Sequence, residues 1–240
     1  PMFRRELLSL GIENAPMMLA AVEGVKGSIT SQIAVQMSAQ AFTEQALLCQ
    51  ESEDLDAEHP TATRIVREAF REANRQVYEY AHKMRAGGKI AATGFVSVFD
   101  GERFTAARVG PSESFVLRGE RFSSLYDDQL GVAAPQSGVL QRFIGANAQI
   151  LVDQASLSVE EGDLIAIGTV APSEAFSSAA EDALRSGRTP AEIAKRLAKT
   201  AYWLSVIENE EGNYALEKNV MVGVLRVGRN LIELTEVVDA

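Results

Sequence analysis

An α+β layered sandwich is the fold class this sequence predicts, and three observations predict it. The stretch from Thr93 to Asp127 reads as an antiparallel meander, two long helices precede it, and a further helix follows a second group of strands. Strands crowd the middle of the chain and helices fall in two blocks, the pattern of α+β layering. A meander exposes an apolar face that needs a cover, and the two neighbouring helices supply an antiparallel layer over it.

Taken in order, residues 3–11 suit either helix or strand. Pro16 to Val22 is a compact apolar run, long enough for a buried strand, and Glu23-Gly24-Val25-Lys26-Gly27-Ser28 is a glycine-spaced loop that opens a helix. Over 30–50, Ile33, Ala34, Met37, Ala41, Ala46 and Leu48 recur at near-helical spacing. The acidic stretch 51–60 reads as a loop. A second helix over 61–85 turns Ile65, Ala69, Phe70, Ala73, Val77, Tyr80, Ala81 and Met84 inward until Gly87-Gly88 stops it. Phe95 to Phe99 is rich in aromatic and β-branched residues, and Asp100-Gly101 signals a type I′ hairpin, whose two central residues both need φ > 0. The return through Glu102 to Val109 alternates as a half-buried strand does. Gly110-Pro111-Ser112 breaks it, and Ser114 to Leu117 and Arg121 to Leu125 flank the turn Arg118-Gly119-Glu120. Gly131 to Ser137 is loop-like, and Val139 to Gly145 suits a short helix or an edge segment. Ala148 to Ala155 and Asp163 to Gly168 read as strands, the second entered through the turn Glu160-Glu161-Gly162-Asp163. Thr189 as N-cap and Pro190 at the first helical position begin a helix that runs to Trp203. Residues 209–212 form an exposed turn and 219–227 a closing strand.

Composition narrows the function classes. The chain has 240 residues and no Pro-, Gly- or Ser-rich linker, so a single domain over 3–228 with a C-terminal extension over 229–240 is expected. No apolar run approaches the roughly 20 residues that cross a bilayer, and nothing reads as a signal peptide. The one cysteine, Cys49, precludes an intramolecular disulfide and fits a reducing compartment, so the cytoplasm is the expected location. Cys49 itself reads as a core thiol on a helix face. A net charge of −10 with dispersed Lys and Arg argues against nucleic acid as a partner. Arg64, Arg67, Arg71 and Arg75 recur at helical spacing with Glu68, Glu72 and Glu79 interleaved, a solvated face of i,i+3 and i,i+4 pairs rather than a phosphate-binding stripe. His59 and His82 lack companions at metal-ligand spacing, and Tyr202-Trp203 read as core or interhelix contacts.

The order of the pieces carries a resemblance. An apolar strand, an acidic-Gly-x-x-Gly loop (Glu23 to Gly27), two long helices, a glycine-rich stop, a strand and the Asp100-Gly101 hairpin come first. Ala107-x-Val109-Gly110-x-Ser112, Leu117-Arg118-x and Glu161-Gly162-Asp163 before an apolar strand follow, and Asn219 to Val224 closes the set. This order resembles the PP2C-type (PPM) serine/threonine protein phosphatases over nearly the whole chain. The resemblance implies a central antiparallel β-sandwich flanked by antiparallel helix pairs, an α/β/β/α arrangement. It also implies two Mg²⁺ or Mn²⁺ ions, held by Asp side chains, that activate a water to attack a phosphoserine or phosphothreonine.

The carboxylates of that site are largely replaced. The Asp of the family's Asp-Gly-x-x-Gly loop corresponds to Glu23, followed by Gly24. The Asp of its Gly-Asp-Ser motif corresponds to Pro111, that of Ser-Asp-Gly to Val170 within Thr169-Val170-Ala171, and that of Asp-Asn to Lys218, with Asn219 kept. The family's N-terminal segment has only the string Glu13-Asn14 as a counterpart. Hard divalent ions need anionic oxygens, and two of them ~3.5–4 Å apart need several. The expectation is therefore a pseudophosphatase that needs no cofactor and binds a protein partner, a phosphoprotein or a kinase, with a Glu23–Lys218 pair replacing the metals. The alternative is an active Mg- or Mn-dependent phosphatase with a rearranged site drawing on Glu23, Glu217 and Asp163 or Glu13.

Overall fold

Every residue of the run 92–99 is buried, and the first sheet is built around it. The computed structural model describes residues 5–10, 17–25, 29–51, 61–87, 89–100, 102–126, 142–170, 173–204, 206–208, 214–216, 220–228 and 232–238. The chain divides into two compact units, one over 1–110 and 131–158, the other over 111–130 and 159–240.

The first unit is a five-stranded antiparallel sheet of β1 (Arg5–Leu10), β2 (Met17–Gly24), β3 (Ala92–Phe99), β4 (Arg103–Val109) and β7 (Asp153–Ser158), in the order β1-β2-β3-β4-β7. The helices α1 (Ile29–Glu51) and α2 (Thr61–Lys83) pack on each other and on one face of it. Val22, Val96, Ala107 and Val109 from the sheet join Ala34, Phe42, Phe70 and Val77 from the helices in one core. Phe42 meets Phe70 edge-on at 5.1 Å. Leu48 and Met84, expected inside, are 56% and 59% exposed, because they lie at or beyond the last helical turn. Cys49 sits at the end of α1, and its side chain lies outside the described residues, as do the stretch 52–60 and His59.

The stop of α2 is not at the glycine pair. Arg85 takes φ 53°, its N–H donates to the His82 carbonyl at 3.0 Å, and the Ala86 N–H reaches back to the Ala81 carbonyl at 2.8 Å. These are the two bonds of a Schellman cap, formed here with arginine in the left-handed position. The hairpin after β3 also differs from expectation. Asp100 has no positive φ; it acts through its side chain, accepting the Glu102 and Arg103 N–H groups at 3.1 and 2.7 Å. An Asx-type bond replaces the type I′ geometry.

The expected meander is divided between sheets. β4 pairs with β3 and β7, whereas β5 (Glu113–Arg118) and β6 (Arg121–Ser124) pair together in the second sheet. The chain changes sheet at Gly110-Pro111, where Gly110 has φ 88° and a Cβ would stand 2.4 Å from the Thr93 methyl. Pro111 carries no N–H for a ladder. Ile144, expected in a short helix or edge segment, forms a backbone bridge to Ala92, and residues 148–152 precede β7 rather than belonging to it. Residues 127–141 lie outside the described set.

One polar side chain ties the bridge segment to α2. Asn74, 2% exposed, accepts the Gly145 N–H at 2.8 Å and donates to the Asn147 and Ala148 carbonyls at 3.0 and 3.3 Å.

The second unit is a five-stranded antiparallel sheet in the order β12-β11-β8-β5-β6, with β8 (Leu164–Gly168), β11 (Met221–Val227) and β12 (Ile232–Val238). A separate two-stranded sheet pairs β9 (Val206–Glu208) with β10 (Tyr214–Leu216). Helix α3 (Glu174–Leu184), not anticipated from the sequence, starts at Ser173, whose Oγ accepts the Phe176 N–H at 3.2 Å. Helix α4 (Pro190–Leu204) starts as expected, with Glu192 Oε2 accepting the Thr189 N–H at 3.0 Å and the Glu192 N–H donating back to Thr189 Oγ1. Phe176, Ala180, Ile193, Leu197, Ala198 and Val224 fill the core between helices and sheet. Trp203, expected as a core or interhelix contact, is 63% exposed at the end of α4, edge-on to Tyr202. The α+β class with two antiparallel sheets and helix pairs is thus the one observed. No helix among the described residues is long and apolar enough to cross a membrane.

Replacing Asn74 with Leu strands a buried N–H and two carbonyls and should lower unfolding free energy by about 3 kcal/mol, read by urea denaturation. The Glu192 carboxyl is held below its ordinary value by the Thr189 backbone N–H. Its folded pKa is therefore below the unfolded one, so its contribution is full above about pH 4.3 and is lost as pH falls further. Glu192→Gln should flatten the stability profile in that acid window while leaving the rest unchanged.

Candidate functional site

Strand pairing decides which of the motif residues share a surface. Glu23 lies opposite Thr93, and Arg108 lies opposite both Phe95 and Asp153. Side chains alternate along a strand, so Glu23, Thr93, Arg108 and Asp153 point from the same face of the first sheet. The core residues Val22, Val96, Ala107 and Val109 occupy the other face, under α1 and α2.

That face carries its charged residues beside buried apolar ones such as Ala21, Phe95 and Ala106. Glu23 is 6% exposed and Arg108 3% exposed. Arg108 Nε stands 3.6 Å from Asp153 Oδ2, and Arg142 Nη1 donates to Asp153 Oδ1 at 2.9 Å. The formal charges of Glu23, Arg108, Asp153 and Arg142 sum to zero. Two guanidiniums on one carboxylate leave that group of three with one net positive charge. Arg108 occupies the unspecified position of the Ala-x-Val-Gly-x-Ser motif, which is why the motif residues alone did not single it out.

The loop after Glu23 keeps its glycine for a steric reason. A Cβ on Gly24 would stand 2.7 Å from Ser31 Cβ in the first turns of α1. The Ser31 hydroxyl donates to the Val25 carbonyl, and the Val25 N–H donates to the Ala91 carbonyl at 3.1 Å. The end of β2 is therefore clamped between α1 and the start of β3.

In the second unit the motif positions are structural. Thr169, 2% exposed, accepts the Met221 N–H on its Oγ1 at 2.9 Å and donates its own N–H to the Met221 carbonyl at 3.0 Å. Val170 is buried in the apolar cluster that includes Phe176 and Val220. Lys218 and Asn219 lie outside the described residues, as do Glu217, Glu13 and the proposed Glu23–Lys218 pair.

Asp163, one of the alternative ligands, is committed elsewhere. It is 1% exposed, and Arg118 grips both its oxygens, Nε to Oδ1 at 3.0 Å and Nη2 to Oδ2 at 2.7 Å. The same Arg118 reaches Glu160 at 2.7 Å, and the Glu160 N–H donates to Asp163 Oδ2 at 2.9 Å. The hydrogen bond to Asp163 raises the Arg118 guanidinium above its ordinary value, against the opposing effect of burial. Asp163 and Thr169 stand at opposite ends of β8, and a rise of about 3.3 Å per residue puts about 20 Å between them. No local spacing announces this pair, since its members lie 45 residues apart.

A two-metal centre needs several anionic oxygens. Among the described residues the motif positions offer Glu23 alone, Val170 is packed in a core, and Asp163 is held by Arg118. Among the same residues, no three His, Cys, Asp or Glu side chains are grouped so as to hold a metal ion. The described residues do not fit the pair of ions.

No protein-family model matches the sequence, and no curated protein matches it. Solved structures do. The Mycobacterium tuberculosis serine/threonine phosphatase PstP/Ppp is 16% identical, with TM-score 0.61 over 95% of this chain and 99% of that one. The S. agalactiae serine/threonine phosphatase is 16% identical, with TM-score 0.64 over 93% of this chain and 92% of that one. The catalytic domain of PstP in complex with two manganese ions gives TM-score 0.54 at 16% identity over 83% and 91%. The chain has the fold of PP2C-type serine/threonine phosphatases.

Replacing Asp163 with Ala is expected to destabilise the protein by about 2 kcal/mol, since it leaves a partly exposed guanidinium and the Glu160 N–H without their carboxylate. Metal titration of the same variant should match the parent. A ligand role for Asp163 would instead show as a change in metal heat.

Proposed function

We propose that this chain is a pseudophosphatase, a PP2C-like fold that serves as a protein-binding module in phosphorylation-dependent signalling in the cytoplasm. The make-up of the motif positions carries this reading: among the described residues Glu23 is the one carboxylate they offer, where a two-metal centre would need several. A core-packed Val170 in place of a carboxylate supports it further. The partner is a protein, either phosphorylated or a kinase, because the net charge of −10 disfavours nucleic acid. An active phosphatase with a rearranged site is the second reading, favoured by the one buried carboxylate kept at Glu23. The manganese-bound neighbour supplies the metal to test.

Calorimetric titration of Mn²⁺, with phosphopeptide hydrolysis on the same sample, separates the two readings. The expected outcome is neither binding heat at micromolar metal nor turnover. Heat accompanied by turnover that Glu23→Ala abolishes would establish the rearranged enzyme.

A gain of function is the complementary test. Restoring two motif carboxylates with Val170→Asp and Lys218→Asp should produce a Mn²⁺ heat that the parent lacks. The same double variant should melt lower without metal, because Val170→Asp places a carboxylate in an apolar core.

A further inference from the structure

A groove of about 1050 Å³ lies in the first unit, between α2 and the segment 147–152. Arg67, Arg71 and Arg75 line it from α2, and Gln149 and Leu151 from the opposing segment. The three arginines are not equivalent. Arg75 is engaged by Glu72 and by Glu79 at 3.0 Å, and its hydrogen bond holds the Glu72 carboxyl below its ordinary value. Arg67 and Arg71, 49% and 77% exposed, share the single carboxylate of Glu68, each at 3.5 Å. Two exposed guanidiniums one helical turn apart are thus left with a surplus charge and most of their donors open to a ligand.

The opposing wall is an extended segment, 149–152, that pairs with no strand among the described residues. Ile150 and Val152 pack on the core while Gln149 and Leu151 face out, Leu151 at 67% exposed, which is the alternation of extended backbone. Among the described residues the backbone groups of 149–152 make no hydrogen bond. The segment runs directly into β7, the edge strand of its sheet. An open edge of this kind is a template for an added strand.

We propose that the groove binds an extended acidic peptide of a partner protein, which pairs with the backbone of 149–152 and sets a carboxylate between Arg67 and Arg71. An apolar side chain of the same peptide covers Leu151. The inference deepens the protein-binding reading by adding a surface remote from metal chemistry, and it rests on that reading only in taking the occupant to be a protein.

Fluorescence anisotropy with a labelled peptide of alternating Glu and Leu tests it, in metal-free buffer, so its outcome is independent of turnover. The peptide should bind about tenfold more tightly than its Gln-Leu counterpart. Arg67→Glu with Arg71→Glu should abolish that preference, and Arg75→Gln should keep it. Because the reversal sets like charges beside Glu68 on an exposed helix face, the melting temperature should fall slightly with the cooperative transition retained. On the wild-type protein, a version N-methylated at alternate residues should lose binding. Equal affinity for the Glu and Gln peptides, or undiminished binding of the N-methylated one, would overturn the proposal. Two further outcomes would also overturn it. A phosphoserine-Leu peptide that bound far more tightly than the Glu one would assign the site to phosphoryl groups. A dimer that the arginine reversal dissolved would assign it to a second copy of the chain.

Discussion

A buried guanidinium, Arg108, held to the Asp153 carboxylate is the interaction around which the charged end of the first sheet is arranged. A carboxylate or guanidinium removed from water is costly unless a counter-charge and hydrogen bonds meet it. A phosphatase of this fold can bury a cluster of acids because two dications neutralise it. Here Glu23 shares its face with Arg108, and Arg108 shares Asp153 with Arg142. In the second unit, Val170 is packed within an apolar cluster.

The backbone around this face is held by groups whose chemistry is unrelated to the site. Gly24 allows α1 to approach the end of β2, and Gly110 makes room for Thr93 at the point where the chain leaves the first sheet. Asn74 anchors the segment that returns toward β7. Such positions set where strands lie rather than what they carry. Fold and chemistry are separable in this way, which is why likeness of architecture at 16% identity speaks to the first and not the second.

Elements whose signals are local were legible in the chain itself. The apolar run before Glu23, the long periodic stretch of α2 and the Thr189-Pro190 cap each depend on neighbours within a turn or a strand. Where the reading failed, a longer-range interaction had prevailed. The meander was divided because β4 found β7 as its partner instead of β5, and residues 148–152 were left unpaired before that strand begins. The stop of α2 fell to Arg85, a residue with no intrinsic preference for the left-handed region, before the glycines were reached. α3 was overlooked although Ser173 stands at its start as an ordinary N-cap.

By itself the sequence determined the class of fold, the order of its motifs and the residue types at Pro111, Val170 and Lys218, because these are statements about residue type and spacing. Only the tertiary structure decided what the remaining charges do. Arg118 and Asp163 meet across 45 residues, and Arg108 faces Asp153 solely because β7 pairs with β4. A charge has no meaning for a site until its partner is known, and partners on different strands are chosen by register, which no window of sequence contains.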